Sequence, residues 1–438
     1  MGFLIACWLV AASIPAHLPT WAYDEYHGQG THATSAQVQR YVTYAEGGLE
    51  NDKALRDCDA TQACAGVFYF DPGLIYASAD CPILAYREFL ARASEDWFVH
   101  ERGYADAAHR VRGTYEQRCH GTREAIPVYA ANQTNPAVDA FFAQYLRRVA
   151  DRWPFYLADD TSDTVITQFY GPGGGFCSGL LGRAWCTTTQ ELPDDAAVAT
   201  AHLALANALV HADGSPMALF YNGVSFARGA PEIPPLLAAQ RFTGVVCENC
   251  AIVDGTLRPT MYARVLDAMA RVAAVPNASF VLLSSGSQET GSDAQIAARI
   301  ATTAIVWLGF TGAHTIVWPN LEDRTDRLAV WPEDEVYPAR PLQTMRGSNA
   351  ALLVAPGVWR REFTTCYRAS VPIGACAAVV NGSRGDVTID RSWFHALYAY
   401  ALVPAGGDLL GGGTLRDVPL DAEIARLAPG EAALLVSK

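Results

Sequence analysis

Between about residues 40 and 320, short apolar, β-rich runs alternate with stretches of helical periodicity, and this alternation constrains the chain more than any other feature. Candidate strands lie at 40–46, 66–70, 97–100, 126–129, 154–158, 217–221, 244–247, 279–283 and 313–318, with helix-like segments at 82–93, 136–151, 194–212, 259–275 and 292–308. In 136–151 the residues Val138, Phe141, Phe142, Tyr145, Leu146 and Val149 follow the three-and-four spacing of an amphipathic helix. Asn135 suits the cap of that helix and Pro136 its first turn. Strand–helix alternation implies a parallel sheet covered by helices, because each parallel crossover needs a helix-length connection. A span of roughly 280 residues is the usual size of a (β/α)8 barrel. Nine candidates for eight strands leave one in excess.

A doubly wound open sheet is the competing arrangement, but no GxGxxG turn follows an early strand. Gly171-Pro172-Gly173-Gly174-Gly175 lacks the Lys-Ser/Thr of a phosphate-binding loop. After Pro338 the pattern changes to short strand-like runs between Gly-rich turns. The fold class is therefore α/β: a (β/α)8 TIM-type barrel over residues 23–338, followed by a small antiparallel, β-sandwich-like domain over 339–438.

The first 22 residues look like an export signal. Phe3 to Ala12 is an apolar run too short to span a bilayer, and Ala16 or Ala22 could mark cleavage. No later segment offers 18 continuous apolar residues, so no integral membrane segment is expected after signal removal. Without Cys7 the eleven cysteines become ten, falling as neighbours: Cys58 and Cys64, Cys81 and Cys119, Cys177 and Cys186, Cys247 and Cys250, Cys366 and Cys376. Local disulfides in an oxidising compartment fit this spacing, and the expected location is secreted or periplasmic. The net charge of −13 argues against nucleic acid or an anionic membrane surface as partner, since both require basic patches. Four ligands at metal-like spacing are not visible, and no cofactor is expected.

Chemistry in such a barrel belongs at the C-terminal ends of the strands. There, Pro154–Ala158 runs into Asp159 and Asp160, 244–247 into Glu248, 217–221 into Asn222, and 66–70 into Asp71. The run 97–99 ends at His100 and Glu101. A carboxylate following a buried apolar strand is costly unless paired or used. Glycoside hydrolysis needs this inventory: one carboxylic acid to protonate the leaving oxygen, and one carboxylate to attack the anomeric carbon or activate water. Asp159, Asp160 and Glu248 are the candidate catalytic residues. Asp71, His100, Glu101, Asn222 and Trp318 are candidate substrate-binding residues. Each has a plainer alternative: a helix cap or a structural calcium ligand for the Asp pair, a surface loop carboxylate or a salt-bridge partner for Glu248, a turn for Asp71 and Asn222, an ion-pair network for His100-Glu101-Arg102, and core or rim packing for Trp318.

The Asn135-Pro136 helix leading into Phe155-Tyr156-Leu157-Ala158-Asp159-Asp160 resembles extracellular glycoside hydrolases of barrel fold. Trp331-Pro332-Glu333, Val358 to Phe363 and Val379-Val380-Asn381 are similar to the segments joining such barrels to a C-terminal β-domain. The resemblance implies a carbohydrate substrate. Carboxylates from strands four and six resemble the α-galactosidase arrangement, whereas the glutamate that ends strand seven in many β-retaining barrels is replaced by Leu282-Leu283-Ser284-Ser285-Gly286. The expected function is an exported glycoside hydrolase acting on a poly- or oligosaccharide. The alternative is a non-catalytic carbohydrate-binding or cell-surface protein on a degenerate glycosidase barrel.

Overall fold

The structure, a computed structural model, describes residues 17–23, 44–47, 53–62, 64–77, 87–100, 103–119, 122–159, 195–222, 242–248, 250–253, 256–284, 293–319, 331–345, 347–405, 414–421 and 425–437. Eight strands form one parallel sheet: β1 (Trp21–Tyr23), β2 (Tyr44–Gly47), β3 (Ala65–Phe70), β4 (Phe155–Ala158), β5 (Ala218–Asn222), β6 (Phe242–Glu248), β7 (Ser279–Ser284) and β8 (Thr315–Pro319). Each pairs in parallel with the next in chain order. The ring closes through a parallel bridge between Thr20 and Val317, with Val317 N donating to Pro19 O at 3.0 Å. This contact joins the two end strands of the sheet to each other. This is a (β/α)8-type barrel.

Helices α1 (Lys53–Thr61), α2 (Arg87–Arg92), α3 (Pro136–Val149), α4 (Asp195–Ala208), α5 (Tyr262–Val272) and α6 (Asp293–Gly309) lie between the strands in sequence. The cap of α3 forms as its sequence requires: Asn135 Oδ1 accepts from Ala137 N at 3.0 Å, and Pro136 opens the helix. Two expected strands are not barrel members. Residues 97–100 form the end of a 3-10 turn and isolated bridges, and 126–129 belong to Thr122–Ala130 of an antiparallel three-stranded sheet with Leu74–Tyr76 and Arg112–Cys119. Both lie in an excursion between β3 and β4, where a β-rich pattern alone cannot separate a hairpin from a barrel strand.

The strand missing from the sequence reading is β1, which starts at Trp21, inside the segment expected to be a leader. Leu18, Thr20 and Trp21 are buried. Trp21 sits inside the barrel, its ring 5.6 Å from Tyr44 and 4.9 Å from Phe220, and Tyr44 in turn lies 5.4 Å from Phe155. Period-two alternation sends Val67, Leu157, Phe220, Val246, Val281, Leu283 and Ile316 to the same interior. Gly244 is required there, since a Cβ would meet Ser279 O at 2.5 Å and the Phe220 ring at 3.0 Å. Ordinary outward-facing residues such as Phe68, Phe70 and Tyr156 join the larger core under the helices.

The second expected boundary, 338/339, falls within a strand. Val336–Pro341 is already the edge strand of a seven-stranded antiparallel sheet. From that edge the order runs to Val358–Arg368, Val371–Asn381, Ala432–Val436, Tyr400–Ala405 and Thr414–Pro419, with Leu353–Ala355 also paired to Val358–Arg368. Along Val371–Asn381, Cys376, Ala378 and Val380 join the core shared with α6, whereas Ala377 and Val379 join a second core closed by Ile389, Tyr398 and Leu427. The opposite layer is built from loops and the two-stranded ribbon Val387–Thr388 with Arg426–Leu427. The disulfides Cys58–Cys64, Cys247–Cys250 and Cys366–Cys376 are formed as their spacing suggests. The pairings expected of Cys81, Cys119, Cys177 and Cys186 fall outside what is described.

Candidate active site

The inward register of adjacent strands places four polar side chains at the C-terminal mouth of the barrel. On β3, Val67 is inside and Tyr69 follows two residues later; on β4, Leu157 is followed by Asp159; on β5, Phe220 by Asn222; on β6, Val246 by Glu248. The interior side chain before each is apolar and buried, so each polar residue follows the barrel's packed interior at the C-terminal end of its strand. Sheet order β3–β4–β5–β6 makes the four positions a continuous arc.

Hydrogen bonds tie this arc together. Asn222 Nδ2 donates to Asp159 Oδ1 at 2.6 Å and to Glu248 Oε2 at 2.6 Å. An amide nitrogen carries two hydrogens, so one side chain bridges both carboxylates. Those two oxygens, each 2.6 Å from the same nitrogen, are separated by at most twice that distance. Tyr69 Oη donates to the other oxygen, Asp159 Oδ2, at 2.7 Å. Asp159 thus has both oxygens held, while Glu248 is exposed on the rim. Behind Glu248 the disulfide Cys247–Cys250 is buried, and Cys250 Sγ lies 3.4 Å from Glu248 O. The strand end carrying the glutamate is therefore covalently braced.

Of the residues singled out from sequence, Asp159, Asn222 and Glu248 come together. Asp71 does different work: it is buried, and its Oδ1 accepts from Gly73 N at 2.7 Å and Leu74 N at 2.8 Å, which makes the turn leaving β3. His100 is engaged with Glu95, its Nε2 3.3 Å from Glu95 Oε2, while Arg110 Nε donates to the same oxygen at 2.8 Å. Its place is the ion-pair network of the excursion. The backbone of Trp318 pairs with Leu283 on β7. Asp160, Glu101 and the Trp318 side chain lie outside the described residues. Tyr69 was missed because it sits within a run of aromatic strand residues that reads as core; its position two residues before Asp71, on the inward register, was the available signal. Among the described residues no group of three His, Cys, Asp or Glu is placed to hold a metal ion. No described helix is long and apolar enough to cross a membrane.

No protein-family profile matches the chain, and no curated protein sequence matches it either. Solved structures do resemble it at very low identity. An α-amylase from Lactobacillus plantarum is 10% identical over 97% of this chain and 99% of its own, with a TM-score of 0.43. A GH36 α-galactosidase from Geobacillus stearothermophilus is 8% identical over 98% of this chain and 56% of its own, with a TM-score of 0.39. A conserved exported protein from Bacteroides fragilis is 10% identical over 96% of this chain and 98% of its own, with a TM-score of 0.38.

Proposed function

We propose that this chain is an exported glycoside hydrolase acting with retention at the anomeric carbon, with Asp159 as nucleophile and Glu248 as acid/base. The observation that carries the reading is the single Asn222 amide bonded to both carboxylates across the mouth of a closed parallel barrel. A paired-carboxylate site is what glycosidic cleavage requires, and a spacing of about 5–5.5 Å marks retention against roughly 6.5–9.5 Å for inversion. The two facing oxygens sit close enough to share one amide nitrogen, and this close approach is what favours the retaining reading.

Asp159 attacks the anomeric carbon while Glu248, protonated, gives its proton to the departing glycosidic oxygen. The C1–O bond breaks as an ester between the sugar and Asp159 forms. Glu248, now a carboxylate, takes a proton from water, whose oxygen attacks C1 and frees Asp159. The assignment of roles follows from environment. Asp159 is oriented through both oxygens by Tyr69 and Asn222, as an attacking group must be. Glu248 stands exposed at the rim, where it can exchange protons with solvent.

Asp159→Asn and Glu248→Gln are each expected to lower kcat by roughly 100-fold or more on any glycan the protein cleaves. Azide should rescue Asp159→Ala with formation of a glycosyl azide, and proton NMR should show the first-formed product anomer matching the substrate. Unchanged turnover in Glu248→Gln would remove the acid/base assignment, and an inverted product would remove the nucleophile.

A further inference from the structure

We propose that the 103–110 loop carries a second carbohydrate-binding platform, separate from the carboxylates, on which a pyranose ring stacks against Tyr104. The inference rests on the carbohydrate reading above and deepens it, by giving the protein a preference for polymers over short substrates.

Five large apolar residues are exposed among those described: Tyr104, Leu342, Leu353, Val371 and Leu397. Tyr104, at 51% exposure, is the one aromatic ring in that set. A tyrosine ring joins an apolar face to a polar tip, so one held in place at the surface offers a ligand both kinds of contact. The ring is not loose. One face lies on the His109 imidazole, centroids 3.6 Å apart and planes 12° from parallel. His109 Nδ1 is 2.8 Å from Asp106 Oδ1, and the same oxygen accepts from Ala108 N at 3.0 Å. His109 N donates to Asp106 O at 3.1 Å. The loop is anchored where it ends, since Arg110 is bonded to Glu95 and its guanidinium lies 3.8 Å above the Phe98 ring centroid.

Around the ring the chain is small. Ala105, Ala107 and Ala108 are exposed, and at Gly103 a Cβ would find nothing within 4 Å. A flat ring, fixed from behind and open in front, is pre-organised, so a ligand laid on it pays little ordering entropy. The chemistry of the surroundings selects the ligand. A pyranose offers an apolar C–H face to the ring and hydroxyls to the Asp106 carboxylate and His109. An acidic ligand would need a free cation, and the described residues of this loop commit Arg110 to Glu95 and His109 to Asp106. The loop belongs to the excursion that departs from the C-terminal end of β3, the same end of the barrel that carries Asp159. A polymer held at both places reaches the carboxylates at a raised effective concentration, an advantage that a short substrate cannot use.

The test uses the full chain carrying Glu248→Gln, which binds without turning over. It is run through native gels containing amylopectin, galactomannan or arabinoxylan, alone and with Tyr104→Ala or Tyr104→Phe added. Loss of the ring is expected to weaken retardation about tenfold, the order set by covering one aromatic face. Tyr104→Phe should retain it. In the otherwise unchanged protein, Tyr104→Ala should leave kcat/KM on aryl glycosides unaltered while lowering it on the retarding polymer. Equal retardation with and without the ring overturns the platform, as does an absence of retardation in all three gels. Failure of the hydrolase reading is distinguishable: no aryl glycoside would then be cleaved by the unaltered protein, whatever the gels show.

Discussion

Tyr69 acts on Asp159 at a single contact, the 2.7 Å hydrogen bond from its hydroxyl. Tyr69→Phe keeps the ring that packs inside the barrel and removes only that donor. With Asp159 in the proposed role of nucleophile, the expected result is a kcat lowered roughly tenfold with little change in KM or thermal midpoint, because misalignment would affect the transition state more than ground-state binding. A parallel fall in thermal stability without a kcat effect would make Tyr69 a packing residue only. A titrating residue lies on α3. Burial pushes Asp139 up from 3.8 to about 7. Below its ordinary value the folded and unfolded chains both hold the proton and nothing is lost. Between 3.8 and about 7 the folded chain keeps a proton that the unfolded chain has released, so stability falls as pH rises through that window. Asp139→Asn is spared this cost. Its stability advantage over the unaltered chain, measured by denaturant melts, should grow from about pH 4 to 7 toward a ceiling of ~4 kcal/mol and then level off. His202 titrates with the opposite sign: its burial lowers it to about 3, so it loses stability on the acid side.

At the scale of elements, the site depends on how a strand ends. β6 stops at Glu248, and the bridge from Cys247 to Cys250 turns the chain immediately, with both sulfurs buried. A loop this short confers only about 2 kcal/mol of stability, so its larger effect is to limit the positions the glutamate can adopt. Cys250→Ser is therefore expected to lower kcat by a larger factor than it lowers the folding constant of the barrel, read from hydrolysis and melting on the same sample. Loss of stability alone would place the bridge outside the site. The excursion between β3 and β4 is a different kind of element. Its hairpin Arg112–Cys119 with Thr122–Ala130 has the same β-rich composition as a barrel strand but pairs antiparallel with its neighbours. Strand identity here is a property of the partner, and partners are non-local.

For the whole molecule, barrel closure runs through the N-terminal segment. Leu18 N donates to Asp334 O at 2.7 Å, Thr20 bridges Val317, and Trp21 fills the interior. A chain starting after Ala22 would lack both the ring and the bridge that close β8 onto β1. If export involves cleavage, the mature protein should begin between Ala16 and Leu18, as N-terminal sequencing of secreted material would show. A variant beginning at Tyr23 should be less stable by about 3–5 kcal/mol or more, the scale of removing a buried tryptophan. A mature terminus at Tyr23 with undiminished stability would contradict this role for β1. The interior that β1 completes is continuous with the floor of the mouth, since Phe220 touches Trp21 on the same strand that ends in Asn222.

Much of this was legible in the sequence because it is local. The cap and first turn of α3, the amphipathic face of that helix, the neighbouring disulfides and seven of the eight barrel strands rest on residues close together in the chain. The pairing of a carboxylate ending the fourth strand with one ending the sixth also followed, since strand order in a barrel repeats chain order. What only tertiary structure decided depends on partners distant in sequence. Trp21 is a barrel residue because Tyr44 and Phe220 surround it, although its segment has the apolar composition of a leader. Asp71 and Asn222 are both turn-like residues at strand ends, but the first is consumed by its own turn and the second reaches across two neighbouring strands. Tyr69 is core by composition and a donor to Asp159 by register. Side-chain type and spacing determine which elements form, whereas strand pairing determines which polar ends share a mouth, because hydrogen bonding across a sheet joins residues that the chain itself keeps far apart.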